Sequence, residues 1–212
     1  MTQSKINERE DPRVLRTRQL LLQAFSELFL EKGFQTMTVQ DIAERAKINR
    51  STFYTHFEDK FAILESWVRE QFQLRVASRV LTGDSWSLNT FRLLILHVVE
   101  WFAEFHQLTS SADRSLIPLM VTTLQEALFE LLLQGFKSVA GSRWDQLADL
   151  ETVAMVTSWA IFGSGFQCFN QWDEQTETLP PEELADQVTN VLMRGLAQAL
   201  PTLSVRAVNP QL

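Results

Sequence analysis

The chain of 212 residues has little of what punctuates or staples a fold: seven glycines, six prolines, one cysteine and three histidines. Scarce glycine and proline speak against a turn-dense all-β protein and for long helices. The single thiol, Cys168, cannot form a disulfide within the chain, and between Phe166 and Phe169 it is expected to be buried and unreactive. There is no glycine-rich phosphate loop, no Ser-His-Asp candidate and no Cys-X-X-Cys pair. The longest apolar-leaning run, Val153 to Phe169, is broken by Thr157, Ser158, Ser164 and Gln167 and is short for a bilayer span. The first twelve residues are polar and charged, without the apolar stretch of a signal peptide. These absences point to a soluble cytoplasmic protein with no membrane segment, no cofactor and no catalytic site.

What is present is hydrophobic bulk, 45% of residues, enough for a packed interior. The net charge is −7, and its distribution matters more than its sum. Residues 1–60 carry ten Lys/Arg against nine Asp/Glu, while residues 61–212 carry nine against seventeen. Phosphate would repel the acidic remainder, which favours presenting the N-terminal face to a polyanion.

The chain reads as a flexible arm (1–11), a three-helix head (12–60), a larger antiparallel helical body (61–204) and a frayed tail (205–212), an all-α fold. Asp11-Pro12 is a helix start, and Leu15, Leu21, Leu22, Phe25, Leu28 and Phe29 recur at helical spacing up to Gly33, a helix stop. Thr38 begins a short second helix, with Asp41 placed to answer it in a variant of the capping box. Asn49 is a good N-cap for a third helix, Arg50 to Phe57. A fourth helix starts at Glu58-Asp59 with Phe61, Leu64, Val68 and Phe72 as apolar positions. Long segments follow at about 87–108, 114–138, 145–172 and 182–200.

Two short helices joined by about three residues form a helix-turn-helix pattern. In the third helix, Phe53 and Phe57 stand four apart and bury one face, leaving Arg50, Ser51 and Thr55 on others. That is what a helix entering a DNA groove needs. Arg50 is placed to read a guanine edge or bind phosphate. Thr52 and Thr55 are placed to meet a thymine methyl or a phosphate oxygen.

The segment from Thr38 to Lys60 resembles the DNA-binding signature of the TetR/AcrR family. Thr38, Val39, Ile42, Ala43, Ala46, Ile48, Tyr54, His56, Phe57 and Lys60 carry the resemblance, with Phe25 and Gly33 before them. It covers about residues 12–65. It implies that Tyr54, His56, Lys60 and Thr38 clamp phosphate. Asn49 and Lys47 join the DNA-binding set, the latter standing where the family commonly has glycine. The resemblance further implies a ligand-responsive regulator, more often a repressor, that binds a palindromic operator as a homodimer and is released by a small, largely apolar effector.

In the body, Trp101, Phe105, Met120, Trp159 and Phe162 are candidate pocket walls, although aromatic stripes are more often plain core. Gly163, Val188, Leu192 and Gly195 are candidate dimer contacts. The glycines around 163–165 serve equally well to relieve packing within one subunit. His97, Glu100 and Glu104 share a helix face, yet three histidines in the chain make a metal site a weak expectation. Two other readings compete: a helical-bundle enzyme or metal binder, and a dimeric interaction protein that has lost specific DNA binding.

Overall fold

A computed structural model describes residues 11–77, 87–108, 115–140, 149–173 and 179–199, without side chains at 76–77, 88, 105–108, 139–140, 168–173 and 197–199. Among the described residues all regular structure is helical. The chain divides into two compact units, 1–67 and 68–212.

The first unit is built from α1 (Pro12–Thr36), α2 (Val39–Ala46), α3 (Arg50–His56) and the first turns of α4 (Lys60–Phe72). Each helix starts where its own cap dictates. Asp11 accepts from the Arg13 amide at 2.9 Å, with Pro12 at the first helical position. Asp59 accepts from the Phe61 and Ala62 amides at 2.8 and 2.9 Å. Gly33 breaks α1 as expected, at φ 72° and ψ 168°, a region essentially reserved for glycine. A further turn then follows, and it drives Phe34 into the core with no exposed surface.

The core gathers Phe25, Phe34, Ile42, Phe53, Ile63 and Leu64. Trp67 closes it, its ring centre 5.8 Å from Phe25 and 5.1 Å from Phe29. This explains why the division falls after Trp67 and not after residue 60: the first turns of α4 complete the head's core. Phe61 is half exposed, leaning on Phe34 at 5.1 Å instead of entering the interior as its spacing suggested.

The second unit follows with a π-helical turn (Gln73–Ala77), α5 (Leu88–Leu108), α6 (Ile117–Ala140), α7 (Leu150–Asp173) and α8 (Pro181–Ala199). α5 packs on α7 and α8, and α7 packs on α6 and α8. Phe91, Leu94, Leu132, Phe136, Ile161 and Phe162 fill the interior, with Phe91 and Phe136 stacked at 5.9 Å. α7 begins at Leu150 because Asp149 caps it, accepting from the Glu151 amide at 3.2 Å and the Thr152 hydroxyl at 2.6 Å. The Thr152 hydroxyl bond pulls the Asp149 carboxyl below its usual range. Positions 145–148, expected to begin this helix, lie outside the described residues.

α7 has no charged side chain from 152 to 172. One face, with Ala154, Ile161 and Phe162, is buried in the unit, while Met155, Val156 and Trp159 are exposed on another. Large apolar side chains clustered on an open helix face are normally covered by a partner. No helix among the described residues is long and apolar enough to cross a membrane.

Candidate nucleic-acid interface

α2 and α3 are held by polar contacts that leave one face of α3 open. The capping box at α2 is complete: Thr38 Oγ1 accepts from the Asp41 amide at 3.2 Å, and Asp41 Oδ2 accepts from the Thr38 amide at 2.7 Å. Thr38 also donates its hydroxyl proton to Asp41 at 2.7 Å, so that donor is committed to the cap. Bonds first from Lys32, at 2.9 Å, and then from Thr38 hold the Asp41 carboxyl down at about 2. On the far side of α2, Arg45 forks onto Glu31 with two 2.7 Å contacts and reaches Glu27 at 3.2 Å. The guanidinium lowers the Glu31 carboxyl from its ordinary value. These ties brace α2 against α1.

The turn between α2 and α3 pivots on Lys47, whose backbone is left-handed at φ 57° and ψ 42°. Lysine thus adopts the conformation that glycine would take at lower cost. The turn is closed by the Ile48 amide on the Ala43 carbonyl at 2.9 Å. Asn49 then caps α3, accepting from the Ser51 amide at 3.0 Å.

α3 is two-faced, as its spacing predicts. Phe53 is wholly buried and Phe57 nearly so, their rings 5.7 Å apart. Arg50, Ser51, Tyr54 and Thr55 are exposed, Tyr54 by 47%, and Thr52 and His56 are intermediate. Arg50 donates to the Tyr54 hydroxyl at 3.2 Å, and its guanidinium lies 5.7 Å from the Tyr54 ring centre. Thr55 donates to the Thr52 carbonyl at 2.7 Å. With exposed Lys47 and Asn49 at its start, α3 presents a continuous polar strip.

Lys60 sits differently from the expected phosphate clamp. Its ammonium donates to the Phe34 and Met37 carbonyls, both at 3.2 Å, and lies 4.4 Å over the Phe34 ring. Two of its three donors therefore close the α1–α2 corner. Sequence reasoning also missed Arg18, which donates to Ser66 at 2.8 Å and lies 4.6 Å over Phe57, pinning the back of α3. Its partners are 48 and 39 residues away in sequence, so no local signal marks it.

The body's candidates separate. Trp101 and Phe162 line one small apolar cavity of about 10 Å³, together with Phe72, Val98, Phe102 and Leu124. Met120 is buried but lies off this cavity. Trp159 is a correction: it is 53% exposed, because it falls on the outer face of α7. The Phe105 side chain lies outside the described residues, as do those of Cys168 and Phe169. Among the dimer candidates, a Cβ added at Gly163 or Gly195 would meet nothing within 4 Å in the chain. One at Gly165 would lie 2.6 Å from Phe102, so that glycine serves packing within the unit. Val188 and Leu192 are half-buried beside Val191, which is 72% exposed. His97 and Glu100 pair at 2.9 Å, and no group of three metal-ligating side chains occurs among the described residues.

A capped, two-faced helix set after a tight turn, ahead of an all-helical body, defines a helix-turn-helix protein. Residues 21–66 match the family described as bacterial regulatory proteins, tetR family. Similar proteins include the uncharacterized HTH-type transcriptional regulator YdeS of Bacillus subtilis, 41% identical over 27% of this chain and 29% of its own length. Another is the HTH-type transcriptional repressor DhaR of Mycobacterium sp., 38% identical over 26% of this chain and 28% of its own. The matched stretch thus spans under a third of these relatives. Among solved structures, Thermus thermophilus FadR, a TetR family transcriptional repressor in complex with lauroyl-CoA, superposes with a TM-score of 0.59. It is 23% identical, covering 84% of this chain and 94% of that one. Residues 21–66 of the first unit are thus similar to the tetR-family domain, and the chain has the fold seen in solved TetR-family regulators.

Proposed function

We propose that this protein is a ligand-responsive transcriptional regulator, a repressor, that binds a palindromic operator as a homodimer in the cytoplasm. The observation that carries the reading is α3: its aromatic face is spent on the head's core and its polar strip is open. Arg50 reads a base edge, while Ser51, Thr52, Tyr54, Thr55 and His56 supply further base and phosphate contacts, flanked by Thr38, Lys47 and Asn49. Lys60 acts on DNA chiefly by holding the corner from which α2 and α3 spring. The repressor assignment is drawn from DhaR, and the matched relatives are named as regulators and not as enzymes.

One short recognition helix binds weakly, so two heads on a two-fold site are needed. The exposed apolar strip of α7 (Met155, Val156, Trp159, Gly163) and the partly exposed one of α8 (Val188, Val191, Leu192, Gly195) supply the surface for a second copy. A small, largely apolar effector held in the body shifts the dimer away from its DNA-competent form, which requires a coupling of only about 1–3 kcal/mol.

The test is a mobility-shift series on the DNA flanking its own gene, at several salt concentrations. Arg50→Ala is expected to cost about 1–3 kcal/mol on the preferred site and to relax sequence choice. Tyr54→Ala weakens binding on all sequences. Val191→Glu is expected to yield a folded monomer by sedimentation, with operator affinity lost. A parent chain that binds every duplex equally, with Arg50→Ala indistinguishable from it, would overturn the reading in favour of an interaction protein.

A further inference from the structure

We propose that the effector site has a second, charged compartment, and that the effector is a lipophilic cation: an ammonium-type head on an apolar body. This rests on the effector reading above and specifies its chemistry. Arg75, His97, Glu100, Trp101 and Glu104 line an open cleft of about 210 Å³. His97, Glu100 and Glu104 share one face of α5 by their spacing. Arg75 comes from the π-helical turn packed on α5, a wide turn of the kind that recurs at functional sites. It forms an ion pair with Glu104, and His97 pairs with Glu100.

The deciding feature is Trp101. It forms part of this cleft and also part of the wall of the small apolar pocket beside Phe102 and Phe162. That cavity barely has the volume for one water and offers no polar surface, so it is not a water site. A single indole therefore borders both a polar vestibule and an apolar pocket. A ligand with one polar end and one apolar body fits that juxtaposition: the head stays in the vestibule and the body takes the place of Trp101 against Phe102 and Phe162.

The sign of the head follows from the charges. Among the described residues that line it, the cleft holds one guanidinium against two carboxylates, a formal balance of −1 with His97 counted neutral. Arg75 is already spent on Glu104, and Glu100 keeps 41% of its side chain exposed. An anionic head would have to take Arg75 from Glu104 and would then sit beside two carboxylates, a like-charge arrangement that costs binding.

The experiment titrates the full-length protein calorimetrically with three ligands of one chain length: decyltrimethylammonium, decanol and decanoate, all below their micellar concentrations. The cation is expected to bind about tenfold more tightly than decanoate. The double variant Glu100→Gln with Glu104→Gln is expected to bring the cation down to the affinity of decanol, with decanol itself unchanged. Both positions are on the surface, and a thermal melt checks that the variant is folded. Decanoate binding as tightly as the cation, a preference that survives the double variant, or no binding of any ligand each overturns the proposal. Operator binding by the same preparations without ligand is scored separately. A chain that binds its operator but shows no cation preference loses this inference alone, and one that binds the cation but no DNA loses the regulator reading alone.

Discussion

The head and the body of this chain differ in how much of their geometry is set by short-range contacts. In the head, residues a few positions apart set where every helix begins: Asp11 for α1, Thr38 with Asp41 for α2, Asn49 for α3 and Asp59 for α4. The body's long helices are joined by contacts over great sequence distance, such as Arg69 on Glu130 at 2.7 Å and Gln125 on Ser158 at 3.2 Å. The difference teaches where specificity is written. The head's helix starts are encoded locally, and they set out the polar strip of α3. The body's apolar helices fix only that something is buried, and leave partly unspent the question of what covers them.

The sharpest way to break this comparison is to empty the head's core. Phe53→Ala removes a wholly buried ring that contacts Phe57, and is expected to cost about 3–5 kcal/mol. Hydrogen exchange should show the loss in α1 to α3, with α6 and α7 keeping their protection. Equal loss in both units would mean that they do not differ in the way described. Next in size is Gly33→Ala. At φ 72° and ψ 168° any side chain is strained, and the expected cost is about 1–3 kcal/mol, read from denaturant unfolding followed by a probe in the head. The turn after Gly33 is what carries Phe34 under Lys60, so the variant should also weaken operator binding.

Much of the head was legible in the sequence because its signals are short-range. The capping box, the Asn49 cap, the Gly33 break and the Phe53/Phe57 face each need only a four-residue window. The roles of Arg18 and Lys60 were not legible, since their partners come together only after α1 has folded back. The all-α body was readable from its periodicity and its scarcity of glycine and proline. Its site was not. Trp159 and Phe162 are three residues apart on one helix, yet one is largely exposed and the other buried. A helix with large apolar side chains on both faces and small polar ones between them gives no clue as to which side faces in. The cleft around Arg75 and Glu104 joins residues 29 apart across a stretch with no readable pattern.

Lys47→Gly sharpens the comparison from the stabilising side. The left-handed backbone at this position costs a lysine about 1 kcal/mol relative to glycine, part of which returns as unfolded-chain entropy. A net gain of somewhat under about 1 kcal/mol is expected, seen as a higher melting temperature of the head. If the lysine instead serves DNA, the same variant loses operator affinity and flattens the salt dependence by about one counterion. The stability gain and the binding loss are separate readouts. Both together would show a residue kept against local preference for the sake of phosphate.

The body's counterpart is Gly195→Ala, the smallest effect and the one that most directly questions the exposed strip of α8. Within the chain the new methyl meets nothing within 4 Å, and an interior helical glycine replaced by alanine gains about 0.5–1 kcal/mol. In protein diluted until it is monomeric, a melt should show that gain. In concentrated protein the gain is expected to vanish or reverse, because a second copy seated on α7 and α8 would have to move aside for the methyl group. The concentration dependence separates two kinds of glycine that look alike in the sequence: Gly165, whose space is filled by Phe102 of its own unit, and Gly195, whose space is left for another chain. A gain that persists at every concentration would put Gly195 outside any interface and leave the α7–α8 strip without the partner assigned to it.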